Sequence, residues 1–249
     1  MKNSVEFDFT GTRVLVTGGT SGIGHAIASE FSAAGASVTV TGTRPSAHEY
    51  DTELAAFAYR HLLLGEPDSV DALIESLDGL DVLVNNAGAN LPGGQNEWSP
   101  EGFADAVAIN LIGPMRLTVG CRRLLFASEL EGGASVVNLA SMSAFRSQTV
   151  VPGYGSAKAG MVNLTANLAR KWARKGVRVN ALAPGMIQTP MTAQMSEHPE
   201  LLDAELSRIP MQRLGTTDDL VGVALFLSSS ASRYLTGHTI AVDGGYLAG

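Results

Sequence analysis

The chain is nearly without cysteine. Cys121 stands alone among 249 residues, which excludes an internal disulfide and fits a reducing compartment, so a cytoplasmic location is expected. Its neighbours Val119, Leu124 and Leu125 predict a buried thiol rather than a nucleophile. No apolar run approaches the roughly 18 residues of a membrane span. Met1 to Glu6 lacks the apolar segment of a signal peptide. Basic residues are outnumbered, and the net charge of −7 argues against nucleic acid as a partner. Small anions respond to local charge and remain compatible. Charged residues make up only 16%, which fits a chain that buries surface in subunit contacts. The histidines show no metal-ligand spacing, so no metal site is expected.

Apolar residues, by contrast, reach 45% and fall in short runs: Val14–Val16, Val38–Val40, Ala56–Tyr59, Val82–Val84, Val136–Leu139, Val177–Ala181 and Thr239–Val242. These alternate with longer helical patterns. The alternation predicts an α/β fold, a Rossmann-type doubly wound, mainly parallel sheet with helices on both faces. One domain over 1–249 is expected, since no linker or internal repeat divides it. Two helical stretches, about 100–128 and 153–174, look apolar on more than one face, at Phe103, Val107, Leu111, Met115, Ala159, Val162, Ala166 and Trp172. Such helices are expected to be buried all round, with one face free to meet a partner subunit.

In an open sheet of this kind, ligands bind beyond the carboxyl ends of the strands. Gly18, Asn85, Ser141 and Pro184 each follow a predicted strand, so they should converge on one crevice. The first strand runs into Gly18, Gly22 and Gly24 and then into a helical pattern from His25 to Gly35. Strand, glycine-rich turn and helix form the setting of a dinucleotide loop. The glycines let the backbone turn tightly near a pyrophosphate, and the helix N-terminus suits an anion. After the second strand stand Thr43 and Arg44, and no carboxylate occurs until Glu49. A hydroxyl and a guanidinium suit a 2′-phosphate, so NADP(H) is favoured and NAD(H) is the alternative. Arg44 as a solvated turn residue remains the competing reading.

Tyr154 and Lys158 are four residues apart in a helical pattern, hence on one face. The ammonium is expected to favour the phenolate and bring Tyr154 toward neutral pH, where proton transfer is most effective. Taken alone, such a pair more often means packing plus a solvated charge.

Together these residues resemble the classical short-chain dehydrogenase/reductase family, over nearly the whole chain. Thr17 to Gly24, including Thr20, Ser21, Gly22 and Ile23, resembles the family's cofactor loop, and Asn85 to Gly88, with Asn86 and Ala87, its motif after the fourth strand. Asn110, Ser141, Tyr154 and Lys158 match its catalytic tetrad. Pro184, Gly185, Ile187 and Thr189 fall in the segment that closes over the nicotinamide. Val242 to Tyr246 resembles the 3-ketoacyl-(acyl carrier protein) reductase-like branch.

The resemblance implies a seven-stranded sheet in the order 3-2-1-4-5-6-7, a homotetramer built on the two long helices with a dimer as the alternative, and hydride transfer between a nicotinamide and a carbonyl or secondary alcohol. Tyr154 would give the proton, Ser141 would hold the carbonyl oxygen, and Lys158 would hold the ribose hydroxyls. Asn110 would anchor a relay water, with a structural kink in its helix as the competing reading, and Thr189 would meet the carboxamide. There are two departures. Leu63 stands where many members carry an adenine-holding Asp, and Arg44 sits one residue later than the usual basic residue.

The substrate pocket is expected from Leu91, Met142, Phe145, Val150, Met186 and the segment at about 187–213, with Met191, Met195, Leu201 and Leu202. Methionine-rich surfaces adapt to apolar shapes. A small, largely apolar ketone or 3-ketoacyl-type substrate follows. An NAD-linked alcohol or sugar dehydrogenase is the alternative, and a non-catalytic nucleotide sensor is a reading from another class. Enoyl reduction is disfavoured, because the related enoyl reductases space Tyr and Lys more widely.

Overall fold

The computed structural model describes residues 5–189, 192 and 199–248. In chain order the elements are β1 (Arg13–Val16), α1 (Gly22–Ala33), β2 (Ser37–Gly42), β3 (Ala58–His61), α2 (Pro67–Glu75), β4 (Val82–Asn85), α3 (Pro100–Val107), α4 (Gly113–Gly120), α5 (Arg122–Phe126), β5 (Ala134–Leu139), α6 (Pro152–Trp172), β6 (Val177–Pro184), α7 (Pro199–Leu206), α8 (Asp218–Ser228) and β7 (Thr239–Val242).

The seven strands form one parallel sheet in the order β3-β2-β1-β4-β5-β6-β7. The order reverses at β1, whose Val14 pairs with Val38 on one side and Val82 on the other. Successive side chains of a strand point to opposite faces, and both faces are covered here. Val14 and Val16 pack with Ile27, Phe31, Leu220 and Leu225 under α1 and α8. Leu15, between them, packs with Leu73, Leu117, Leu168 and Trp172 under α2, α4 and α6. Each such fully buried side chain contributes about 1.5–3 kcal/mol relative to exposure.

Two expectations need correction. The third strand is Ala58–His61 rather than 56–59. The Phe57 amide instead closes a turn onto Leu54 O, at 3.0 Å, while the Phe57 ring packs against the α1 side. The helix expected over 100–128 is broken into three. A wide π turn over Ala108–Ile112 follows α3, and Cys121 separates α4 from α5. Pro114 has no N–H to continue the ladder, and the Asn110 side chain takes the Ala106 carbonyl at 2.9 Å. Nor is that stretch buried all round, because Phe103, Ile112 and Met115 are 39%, 51% and 37% exposed.

The carboxyl ends of β4 and β5, between those of β1 and β6 in the sheet, are tied together by buried side chains. Asn85 Nδ2 donates to Asn138 Oδ1 and Thr118 Oγ1, each at 2.8 Å, and Asn138 Nδ2 donates to Thr165 Oγ1 at 2.8 Å. This ladder links β4 and β5 to α4 and α6 directly beneath the strand ends.

Candidate active site

A cleft of about 760 Å³ opens at those strand ends. At one end it is made of backbone. Gly18 and Gly22 adopt φ of 66° and 53°, values that glycine reaches without strain. Ser21, at the N-cap of α1, makes no side-chain cap bond, so the N–H groups of the first turn are not capped by it. Thr20, Ser21, Gly22 and Ile23 line the cleft at this cradle. Uncapped N–H groups at a helix's positive end, reached without intervening Cβ atoms, fit a pyrophosphate.

Gly24 serves differently from the other two glycines. It does not line the cleft. A Cβ there would lie 2.3 Å from both Asn86 Nδ2 and the Gly18 carbonyl. Its bareness therefore lets α1 close on the strap after β4. Asn86 Nδ2 donates to Thr17 O at 2.9 Å and Gly18 O at 3.1 Å, and Thr17 Oγ1 accepts the Asn86 and Ala87 amides, each at 3.0 Å. Asn86, Ala87 and Gly88 thus form a wall of the cleft, stitched to the glycine turn.

Beyond the cradle, Thr43 lines the cleft, and Leu62, Leu63, Leu64 and Ile109 form an apolar slot. Leu63 therefore offers contact surface in place of a carboxylate. Arg44 stands at the exposed rim rather than in the lining. Its guanidinium lies 4.8 Å from the Tyr50 ring centroid, its amide donates to Tyr50 Oη at 2.8 Å, and Tyr59 donates to its carbonyl.

The other end of the cleft is made of side chains. Tyr154 and Lys158 lie one turn apart on α6, with Lys158 Nζ 5.5 Å from the Tyr154 ring centroid. Lys158 is buried and donates to Leu139 O at 2.6 Å. Loss of hydration lowers its pKa to about 8. The expected acidification of Tyr154 is not found. Burial pushes its phenol up, a hydrogen bond with Ser141 pulls it down, and the charge of Glu97 pushes it up again. The ammonium is itself desolvated and committed to a carbonyl, so it does not outweigh those effects.

Ser141 leaves β5 in extended backbone. Its Oγ accepts the Ser143 amide at 3.1 Å and donates to Ser143 Oγ at 3.2 Å. It is thus a strand-end cap and also the partner of the phenol. Asn110 is buried and does not line the cleft. Its side chain clasps Ala89, with Nδ2 donating to the carbonyl at 2.7 Å and Oδ1 accepting the amide at 3.2 Å. A Cβ on Gly88 would lie 2.5 Å from Asn110 Oδ1 and 3.5 Å from Lys158 Nζ, so Gly88 permits that approach.

Pro184, Gly185, Met186, Ile187 and Thr189 line the cleft beyond β6, as does Thr192. Thr192 Oγ1 donates to Ile187 O at 2.6 Å and accepts the Thr189 amide at 3.0 Å, which folds this segment back on itself. Met191 and Met195 lie outside the described residues, as does the Leu201 side chain. Leu202 packs against the cluster of Met142, Ile209 and Tyr246.

Of the other expected pocket residues, Met142 and Met186 line the cleft. Leu91, Phe145 and Val150 are 38%, 51% and 70% exposed and do not line it. The loops instead turn Asn90, Ser143, Gln148 and Val151 inward. Each is within two residues of an expected apolar one. Loop residues lack the periodicity that would say which side faces in, and no sequence signal selected them. Glu97, fully buried beside α6, was also missed. Among the described residues no cluster of His, Cys, Asp and Glu could hold a metal, and no helix is long and apolar enough to cross a membrane. The Cys121 thiol is buried and pushed up to about 12, which makes it a poor nucleophile.

Comparison with known proteins agrees with this geometry. A family model described as enoyl-(acyl carrier protein) reductase matches residues 18–247. The chain is 34% identical over 248 residues to 2-dehydro-3-deoxy-D-gluconate 5-dehydrogenase of Bacillus subtilis, covering 97% of this chain and 96% of that protein. It is 33% identical over 251 residues to 3-oxoacyl-(acyl-carrier-protein) reductase of Aquifex aeolicus, covering 97% of this chain and 99% of that one. A gluconate 5-dehydrogenase from Burkholderia cenocepacia, solved in complex with NADP and tartrate, superposes with a TM-score of 0.84 at 29% identity, covering 98% of each chain. The sheet order, the glycine cradle, the Ser141–Tyr154–Lys158 cluster and these relatives lead to one conclusion: the chain belongs to the classical short-chain dehydrogenase/reductase family of NAD(P)(H)-dependent oxidoreductases.

Proposed function

We propose that this protein is an NADP(H)-linked oxidoreductase of a small secondary alcohol or ketone that carries neutral polar groups. The carrying observation is one continuous cleft that joins the α1 cradle to the Ser141–Tyr154 hydroxyl pair. Gly18, Thr20, Ser21, Gly22 and Ile23 would hold the pyrophosphate, with Asn86, Ala87 and Gly88 along the opposite wall. Thr43 and Arg44 would meet the 2′-phosphate, which favours NADP(H) over NAD(H). Pro184, Gly185, Ile187 and Thr189 would face the nicotinamide.

The bound nicotinamide supplies or accepts the hydride. The protein's part is to move a proton and hold the substrate. Tyr154 hands a proton to the carbonyl oxygen in reduction and takes it back in oxidation. A phenol whose pKa burial raises is protonated at neutral pH, which suits the reductive direction. Ser141 donates to the same oxygen as charge gathers there. Lys158 would hold the ribose, and Asn110 fixes the Ala89 backbone behind it.

Neutral polarity in the substrate is supported by Asn90, Ser143 and Gln148 in the lining. From Ile187 to Ser207 the sequence has no Lys or Arg, while Glu197, Glu200, Asp203 and Glu205 are present. The two arginines that follow, Arg208 and Arg213, are paired with Glu205 and Asp219, so a strongly anionic ligand finds no spare countercharge there. A 3-ketoacyl substrate is the second reading, supported by the resemblance to the 3-oxoacyl reductase. In this reading the chain works as one domain, with 187–213 as its substrate segment. It assembles as a homotetramer in the cytoplasm, with the exposed Phe103, Ile112 and Met115 as candidate contact surface.

The test is a panel of polyols, sugars, aldonates, simple ketones and a 3-ketoacyl thioester, each followed through nicotinamide absorbance with NADPH and with NADH. Turnover of neutral hydroxylated compounds with an NADPH preference is expected. Preference for the thioester would establish the second reading, and tight cofactor binding with no turnover anywhere would favour a sensor.

A further inference from the structure

Glu97 is 0% exposed, yet the proposed reaction gives it no role beyond its charge near the Tyr154 phenol. It sits on the loop between β4 and α3, and its two oxygens reach two different segments. Oε1 accepts the Leu91 amide at 2.8 Å, and Oε2 accepts the Tyr154 amide at 2.8 Å. Tyr154 is in the first turn of α6, where backbone N–H groups have no intrahelical partner. The N-cap residue of that helix, Val151, provides no side-chain cap. Glu97 therefore caps α6 from outside, and its negative charge faces the positive end of the helix. A Cβ on Gly153 would lie 3.2 Å from Glu97 Oε2, so the bare residue leaves room for the carboxylate.

At its other oxygen the carboxylate holds Leu91 at φ 43°, a left-handed conformation that a leucine adopts only under constraint. The next residue adds a second tie: Trp98 Nε1 donates to Thr149 O at 2.8 Å. Thr149 lies between Gln148 and Val151, both in the cleft lining. Asn90 precedes Leu91 and also lines the cleft. The pair Glu97–Trp98 thus clasps three pieces of the reactive end: the Asn90 loop, the Gln148–Val151 approach, and the first turn of α6.

We infer that Glu97 is a positioning residue for the reaction, a buried carboxylate that caps the catalytic helix at Tyr154 and locks the substrate-lining loop at Leu91. The inference rests on the reading of Tyr154 as proton carrier. Its charge also adds to the burial that raises the Tyr154 phenol. Charged groups on the surrounding elements are Lys158, with Arg170 and Lys171 at the far end of α6, Glu97 on the loop, and the exposed Glu101, Asp105 and Arg146 on α3 and the segment after β5. Arg178 on β6 is bound to the Leu227 and Ser232 carbonyls.

The test is Glu97→Gln in the full chain, with Ser99→Ala as control. Ser99 caps α3 through the Gly102 amide at 3.0 Å and does not touch Tyr154. Two readouts need no substrate. Hydrogen exchange at 152–158 is expected to quicken about ten-fold or more in Glu97→Gln and to stay unchanged in the control. The tyrosinate absorbance that disappears in Tyr154→Phe reports the phenol, and its titration is expected to move to lower pH in Glu97→Gln alone. A purely structural glutamate would not move that titration. The inference stands only if both readouts move, and either one at the parent value overturns it. If Glu97→Gln does not fold, Glu97→Asp, whose shorter reach cannot span both amides, is judged by its exchange rate on the same terms. Turnover of Tyr154→Phe is measured alongside, so that failure of the proton-carrier reading is separable from failure of this one.

Discussion

The two ends of the cleft are built from different materials. The phosphate end is backbone: turns at Gly18 and Gly22, uncapped amides at the start of α1, and a Cβ-free contact at Gly24. The reactive end is side chain: Tyr154, Ser141 and Lys158, with Glu97 and Asn110 holding the frame from behind. A backbone cradle makes no choice among dinucleotides beyond their shared pyrophosphate. Its discrimination must come from neighbours such as Thr43 and Arg44. A side-chain site sets its chemistry through environment, and here burial dominates, since it raises the phenol and lowers the ammonium.

This contrast can be broken at either end. The largest effect is expected from Lys158→Met, which removes the cation beside the Tyr154 ring and, in the proposed reading, the one that holds the ribose. Turnover should fall by roughly 100-fold or more, with NADPH affinity falling as well; a variant whose turnover stays near the parent's would separate the cation from the chemistry. Next is Gly24→Ala at the backbone end. Its new Cβ meets Asn86 Nδ2 and Gly18 O at 2.3 Å. Overpacking there should cost about 1–3 kcal/mol, seen as a lower Tm together with weaker NADPH binding. An unchanged Tm would mean that the strap and helix can part freely. The smallest effect sharpens the contrast. Arg44→Ala should weaken NADPH binding by roughly ten-fold, about 1.4 kcal/mol, and leave NADH binding unaltered. Equal loss of both cofactors, or of neither, would return Arg44 to the role of a turn residue stacked on Tyr50.

The same contrast explains what was legible in the sequence. Glycines at 18, 22 and 24 declare a backbone geometry by type alone, because few other residues fit positive φ or a 2.3 Å approach. Short apolar runs declare buried strands, and all seven were found, with only β3 displaced toward His61. The four-residue spacing of Tyr154 and Lys158 declares a shared helix face. The sign of the Tyr154 shift was not legible, because desolvation depends on every atom packed around the phenol. Glu97 was hidden for a related reason: it serves α6 across 57 residues of chain. The break at Ala108–Ile112 was legible only in part: a kink at Asn110 was the competing reading, but its cause, the clasp on Ala89, joins residues 21 apart in the chain. Loop facing was equally opaque, so Gln148 and Ser143 were passed over in favour of Val150 and Phe145.

The central claim is that Tyr154 carries the proton while the dinucleotide is held without help from its phenol. The direct measurement is NADPH binding and single-turnover rate in Tyr154→Phe, using the best substrate of the panel. The account predicts an NADPH dissociation constant near that of the parent and a turnover rate lower by roughly 100- to 10,000-fold. A Tyr154→Phe protein that turns over at close to the parent rate would contradict it.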